Sequence, residues 1–305
     1  MPSRASALTV PLGCRERLVA HYGCQVNEWL DSVPALITAA ATAWGLSLGD
    51  FHDAGHASVL ATATDPVGRP LVLKAWPDPG RYRRETAALR LWYADALEPV
   101  IRATDDRHAV AALSMIGDRP GGAERPLLEH GRVAEALHRL HTVAYDTPLS
   151  GLPPLGNYIA QDVLRRVHHR STLTGDRRLT AAALSELAGL HESPHRTTVL
   201  HGDLYRENIL FRHDGQPVLL DPVPMVGDAV FDWAFWTVYY RLGKDMDCRI
   251  RTALQTSGIP LPELLPWCVL LSLDGLLYYE ESGDPRLPEM TTTLRALLSH
   301  ASRSA

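Results

Sequence analysis

Asp203 and Asn208 are separated by four residues in His201-Gly-Asp-Leu-Tyr-Arg-Glu-Asn208, between the apolar runs Val199–Leu200 and Ile209–Phe211. A little further on, another apolar run ends in Asp221. Two carboxylates and a carboxamide at strand ends are the equipment of phosphoryl transfer. One carboxylate accepts or orients the proton of an attacking hydroxyl, and hard oxygen donors hold Mg²⁺ against the phosphates. Mg²⁺ keeps several waters, so one Asn and one Asp from the protein suffice. The bland alternative is a polar β-turn capped by its own Asp and Asn. Asp221, together with a lysine and a hinge-like segment upstream, weighs against it.

The lysine is Lys74, in Val72-Leu-Lys-Ala-Trp76. An ammonium in an apolar strand is costly to bury unless it meets anions. Nucleotide phosphates and Glu85 are the anions at hand, which is the strand-lysine and helix-glutamate arrangement of kinases. Only two of the thirty basic residues are lysines, Lys74 and Lys244, so a lysine kept in an apolar segment needs a reason. Snorkelling of an ordinary strand lysine is the alternative. The His-x-Asp-x₄-Asn spacing is also that of the kinase catalytic loop. His201 fits a brace for that loop better than a metal ligand or general base, and the remaining histidines form no credible ligand set.

These residues need a scaffold, and the pattern supplies one. Residues 16–44 carry Trp29, Leu30, Val33, Leu36, Ile37 and Ala40 at roughly helical spacing. Strand-like runs follow at 46–48, 58–64 and 71–76, the last two joined by the turn sequence Asp65-Pro-Val-Gly68. A helix over 81–96 and a second hairpin, 100–104 with 108–114, complete a small antiparallel sheet. The Gly/Pro-rich stretch 117–122 is a hinge candidate. Beyond it, 127–143, 158–172, 179–191 and 231–301 read as helical, interrupted by short strands at 199–200, 209–211 and 218–220. The expectation is an α+β fold of two lobes, 1–116 nucleotide-binding and 117–305 helical and catalytic.

Composition narrows the function classes. The net charge of −5 over 305 residues argues against nucleic-acid binding, which needs a basic face. Four scattered cysteines without a Cys-x-x-Cys pair suit a reducing cytoplasm. The opening residues are too short and polar for a signal peptide, and no long apolar run predicts a membrane span.

His201–Leu210 (HGDLYRENIL) and Leu219–Ala234 (LLDPVPMVGDAVFDWA) resemble the aminoglycoside phosphotransferase superfamily, with its protein-kinase-like fold. Within it the chain is most similar to the streptomycin and hydroxyurea phosphotransferase branch, as is Glu28–Asp50 (EWLDSVPALITAAATAWGLSLGD). The resemblance implies Asp203 as the catalytic acid–base group and Asn208 and Asp221 as Mg²⁺ ligands. It implies structural roles for Asp228, Asp232 and His141. It places Ser114-Met115-Ile116 at the adenine-binding hinge, with ATP as donor and GTP not excluded. The loop Asp53-Ala-Gly-His-Ala-Ser58 occupies the place of a phosphate-covering loop. It is no Gly-x-Gly-x-x-Gly, so Ser58 or His56 would assist.

The acceptor should lie near Asp203, with Tyr158, Asp162, Tyr205, Arg206, Glu280, Glu281 and Asp284 as candidate walls. The run Tyr278–Asp284 matches an acidic segment of the streptomycin-kinase branch and would suit a cationic substrate; a solvated helix end is the alternative. Neighbours on a helix differ by about 100°, so at most one of Glu280 and Glu281 would face substrate. The resulting expectation is a monomeric or weakly dimeric, Mg²⁺-dependent antibiotic O-kinase with a small-molecule hydroxyl acceptor. A metabolic kinase for choline, a sugar or homoserine is the second reading, and an inactive nucleotide-binding module the third.

Overall fold

The structure, a computed structural model, describes residues 9–143, 151–171 and 174–304, with side chains to 301. Thr172, the expected end of one helix, and the first eight residues lie outside this set. The chain divides into two compact units at Ala123/Glu124, whereas the sequence placed the boundary after residue 116.

In the first unit the single helix expected over 16–44 is two, α1 (Leu12–Tyr22) and α2 (Val26–Ala43). Gly23 separates them at φ 84°, a left-handed backbone at which side-chain-bearing residues are strained. The sheet is antiparallel throughout, in the order β1 (Ser47–His52), β2 (Val59–Thr64), β3 (Pro70–Ala75), β5 (Val110–Ser114), β4 (Ile101–Asp105). At the β2–β3 turn, Asp65 Oδ1 accepts from Val67 N (3.0 Å) and Arg69 N (2.9 Å). Alternation along β2 buries Val59, Ala61 and Ala63. These pack with Leu30, Val33 and Ile37 of α2 into the main core of the unit. A second cluster holds Trp76, Tyr82, Ala109, Ala111 and Leu113, with Tyr82 contributed by α3 (Pro79–Trp92).

The second unit is mainly helical: α4 (Glu129–Thr142), α5 (Leu155–Tyr158), a π-helical stretch (Ile159–Leu164), α6 (Arg165–Arg170) and α7 (Arg177–Glu186). Two short ladders follow. The strand β6 (Thr197–Leu200) pairs with β9 (Met225–Asp228), and β7 (Ile209–Phe211) with β8 (Pro217–Leu219). The strand β9 is additional to those expected. The C-terminal part is α8 (Val230–Tyr239), α9 (Met246–Ser257), α10 (Leu261–Ser282) and α11 (Leu287–Ser304). Every residue of α8 is buried, and α10 is the long core helix of the unit. Among the described residues α10 alone is long and apolar enough to cross a membrane, and it is buried inside the unit.

Candidate active site

In the first unit, β3 and α3 bring Lys74 and Glu85 together in the interior. Lys74 Nζ lies 2.5 Å from Glu85 Oε1, with the two side chains 3% and 0% exposed. The other carboxylate oxygen accepts from Trp76 Nε1 at 2.8 Å, and the ammonium lies 4.8 Å from the Trp76 ring centroid. Both oxygens are thus committed, which fixes the ammonium in place.

The loop 53–58 packs tightly on itself at Gly55. A Cβ on Gly55 would meet the Ser58 carbonyl oxygen at 1.8 Å, so glycine is needed there for close packing. Ser58 is buried, with its carbonyl 3.9 Å from Cys14 Sγ. At the hinge expected over 114–116, Ser114 spends its Oγ on Pro99 O (2.8 Å) and its N–H on Val100 O (2.8 Å). Met115 N donates to Pro70 O at 3.2 Å, and Ile116 is buried. Ser114 thus ties the end of β5 to the segment that leads into β4.

In the second unit the turn after β6 presents Asp203. Asn208 Nδ2 donates to the Asp203 carbonyl and to its Oδ2, both at 2.8 Å. Donating through nitrogen leaves the Asn208 amide oxygen as an acceptor. Leu220 N donates to Asn208 O at 2.8 Å, which draws the end of β8 alongside. Asp221 follows at φ 55°, one of four non-glycine residues with positive φ among those described. Such conformations cluster at functional sites.

Asp232, wholly buried on α8, anchors this loop. Its carboxylate accepts from His201 N (2.7 Å), Gly202 N (2.9 Å) and His141 Nε2 (2.9 Å). The helix thus grips the segment preceding Asp203, giving physical form to the structural roles expected of Asp232 and His141. Gly202 sits at φ 75°, where a Cβ would meet Val223 O at 2.3 Å. Asp228 accepts from Val230 N (3.0 Å) at the start of α8 and from Arg196 and Ser193. His201 Nδ1 accepts from Asp203 N at 3.3 Å. Burial pushes the imidazole down to about 4, so it is neutral at pH 7 and braces the loop as expected.

A cavity of about 180 Å³ opens in this unit between α5, α8 and α10. Tyr158, Tyr205, Phe235, Tyr239, Tyr278 and Tyr279 form much of its wall. Its charged lining is Asp274, whose Oδ1 lies 2.5 Å from Arg166 Nη1, and Arg166 itself. Burial pushes Asp274 up to about 6 despite that guanidinium. A second cavity of about 300 Å³ shares Tyr205, Tyr239 and Tyr279 and is lined by Arg206, Arg241, Lys244 and Arg286.

Of the expected acceptor residues, Tyr158 and Tyr205 line the first cavity and Arg206 the second, where it reaches Glu129 at 3.4 Å. Asp162 is exposed on the π-helical stretch and acts on Tyr158 and Asp274 through its charge. Glu280 and Glu281 line neither cavity. Glu280 accepts from Gly175 N at 2.8 Å, and Glu281 faces Arg170 at 3.7 Å. Asp284 is tied to Arg286 at 2.7 Å. The carboxylate at the cavity is Asp274, more than a helical turn earlier, because the C-terminal end of α10 turns its acids outward. Sequence reasoning missed Asp274 and Arg166. A lone acid inside the apolar run of α10 was the signal.

No group of three or more His, Cys, Asp or Glu suited to a metal occurs among the described residues. The Asn208 amide oxygen and the Asp221 carboxylate are hard donors of the kind Mg²⁺ takes, and phosphate oxygens and waters would complete its shell.

Comparison with known proteins agrees with this chemistry. Residues 48–254 match the family model described as aminoglycoside/hydroxyurea antibiotic resistance kinase. Streptomycin 6-kinase of Streptomyces glaucescens is 29% identical over 302 residues, 92% of this chain and 94% of that protein. Its counterpart from Streptomyces griseus is 28% identical over 75% of each chain. An aminoglycoside phosphotransferase structure from Alicyclobacillus acidocaldarius superposes with a TM-score of 0.60 at 13% identity, over 88% of this chain and 95% of that one. That likeness concerns the fold.

Proposed function

The chain belongs to the aminoglycoside/hydroxyurea antibiotic resistance kinase family, and from that premise we propose an ATP- and Mg²⁺-dependent O-phosphotransferase that inactivates a streptomycin-like antibiotic. In this reading Asp203 orients the acceptor hydroxyl and takes its proton as the oxygen attacks the γ-phosphorus, while the bond from that phosphorus to the β,γ-bridging oxygen breaks and ADP leaves. Asn208 and Asp221 would hold Mg²⁺, which would supply neutralisation of charge on the phosphates. Lys74, fixed by Glu85, is the proposed cationic partner of the nucleotide phosphates. ATP is the proposed donor, with GTP as its competitor in the test, and the proposed setting is a reducing cytoplasm.

The observation that carries the reading is the pair of 2.8 Å hydrogen bonds from Asn208 Nδ2 to Asp203. They set a carboxylate and a free amide oxygen in fixed relation, as an acid–base group and a metal ligand must be. The acceptor is proposed to lie against the aromatic cavity with Asp274. Aromatic walls with one carboxylate suit a guanidinium or amine. They would equally suit a small cationic alcohol, so a metabolic kinase of choline type is the second reading.

The test is coupled ATP and GTP consumption with streptomycin, other aminoglycosides, hydroxyurea, choline and simple sugars, with mass spectrometry for one added phosphoryl group. Streptomycin turnover abolished in Asp203→Asn is expected. Turnover of choline alone would select the second reading. Consumption by no acceptor, or consumption unchanged in Asp203→Asn, would overturn the assignment.

A further inference from the structure

We infer that Arg81, near Tyr22 of the N-terminal helix, is a second cation for the nucleotide phosphates beside Lys74. The inference rests on the nucleotide-binding reading above. Lys74 faces Glu85 on α3, and Arg81 stands four residues earlier on the same helix. Residues four apart lie on one face, a turn along the axis. Arg81 is therefore one turn nearer the start of α3 than the carboxylate that fixes Lys74. The start of α3 follows Ala75, whose partner in the sheet is Val59, the residue directly after the loop 53–58. Arg81 and the loop thus belong to the same end of the sheet.

Side-chain contacts agree with this placement. The Tyr22 hydroxyl donates to Ala57 O of the loop at 3.0 Å, and Arg81 lies close enough to act on it. The charges of Arg81 and Lys74 both act on it. Among the described residues Arg81 forms no ion pair. Asp78, whose charge also acts on Tyr22, caps α3 through Gly80 N (2.7 Å) and faces Arg84 at 3.7 Å. The loop is fastened to α1 at three further points: Arg17 Nε to Gly55 O (3.0 Å), Arg17 to Asp53 (2.6 Å) and Cys14 to Ser58 O.

A triphosphate carries more charge than one already paired ammonium can meet. The loop has a single glycine, where a glycine-rich loop would present several backbone donors. A guanidinium on the Lys74 face, without an ion pair among the described residues and near the tyrosine that holds the loop, supplies the missing donors, and its planar fork suits phosphate oxygens.

The test compares ATP with AMP, which lacks the outer phosphates, on the whole chain by titration calorimetry. Arg81→Met should weaken ATP by about tenfold, the scale of one charge-assisted contact, and leave AMP within about twofold. Arg81→Lys should restore part of the loss, and Arg84→Met, already facing Asp78, should bind both nucleotides as the wild type does. Unchanged AMP affinity shows that the site is folded. If Arg81→Met loses AMP binding too, the salt dependence of ATP binding in Arg81→Lys and wild type decides, and identical affinity and slope overturn the inference. An ATP-to-AMP ratio in Arg81→Met equal to that of the wild type also overturns it while the kinase reading stands. A wild-type chain that binds neither nucleotide overturns both.

Discussion

Asp232→Asn is the substitution that best isolates how the catalytic loop is held. The change is isosteric, so it opens no cavity and alters only hydrogen bonding. The carboxylate meets three donors: His201 N and His141 Nε2 on one oxygen, Gly202 N on the other. An asparagine can place its oxygen at only one of these positions. In the better rotamer it keeps His201 and His141 and turns its NH₂ toward the Gly202 N–H, donor against donor. Two retained bonds lose their charge assistance, about 1 kcal/mol each, and two buried donors go unmet at about 1–3 kcal/mol each. The sum is about 4–8 kcal/mol in the unit that starts at Glu124. For a unit of that size this corresponds to a fall of roughly 10–30 °C in Tm. Releasing Gly202 also frees Asp203 to shift, and an ångström of misplacement costs on the order of 100-fold in rate. Calorimetry and steady-state kinetics of the purified variant measure both effects. A Tm within roughly 2 °C of wild type with kcat unchanged would show that Asp232 does not hold the loop.

Asp203→Asn should keep ATP binding and lose transfer by about two orders of magnitude, the scale of a positioned acid–base group; unchanged turnover ends its assignment. Asp221→Ala should weaken Mg²⁺–ATP binding more than Asn208→Ala, because it removes a charge, and normal affinity by titration calorimetry would place the metal elsewhere. His201, neutral and pushed down to about 4 from 6.5, binds fewer protons folded than unfolded. Stability is therefore full above pH 6.5 and falls by about 3 kcal/mol toward pH 4. Asp274 contributes with the opposite sign, so urea titrations of wild type and His201→Asn, which share it, are subtracted, and equal slopes would refute the prediction. Asp274→Asn should raise KM for a cationic acceptor and not for ATP, and acceptor binding should strengthen as pH rises through about 6; an unchanged KM removes Asp274 from the site.

The strands of the first unit were legible because alternation and turn chemistry agree there, as at Asp65–Gly68. Lys74 was legible because a lysine in an apolar strand needs anions. The break at Gly23 was not, since helical periodicity continues on both sides of it. The strand β9 was hidden by its length and by Pro222 and Pro224 just before it; only its pairing with β6 makes it a strand. The bonds of Ser114 to Pro99 and Val100 were not legible, because a hinge position names a place in the chain, not what its donors bond. Glu280 and Glu281 were named for the acceptor because acidic residues are conspicuous at the end of α10, and their partners Gly175 and Arg170 were not legible. Conspicuous charge marks the solvated part of a helix, whereas a functional carboxylate must leave water.

That contrast extends to two acids set in apolar helices. Asp232 is one of only two residues in α8, with Thr237, that are neither apolar nor aromatic, and Asp274 interrupts the leucine-rich stretch of α10. Either would be expensive to bury alone. Asp232 is met by three donors from two backbone positions and a histidine, all within the fold, so its acceptor capacity toward the loop is filled. Asp274 is met by Arg166 through one oxygen, is 6% exposed, and is pushed up to about 6 by burial. A carboxylate serving structure alone would gain by completing its hydrogen bonds, as Asp232 does. Asp274 remains incompletely met at the wall of an aromatic cavity, with one oxygen available to an incoming donor. A cationic acceptor would supply that donor and draw the carboxyl toward its ionised form. Substrate binding at pH values near 6 should therefore release a proton, and calorimetry in buffers of different ionisation enthalpy would detect it. Binding of the true acceptor with no proton release at that pH would place its cation away from Asp274.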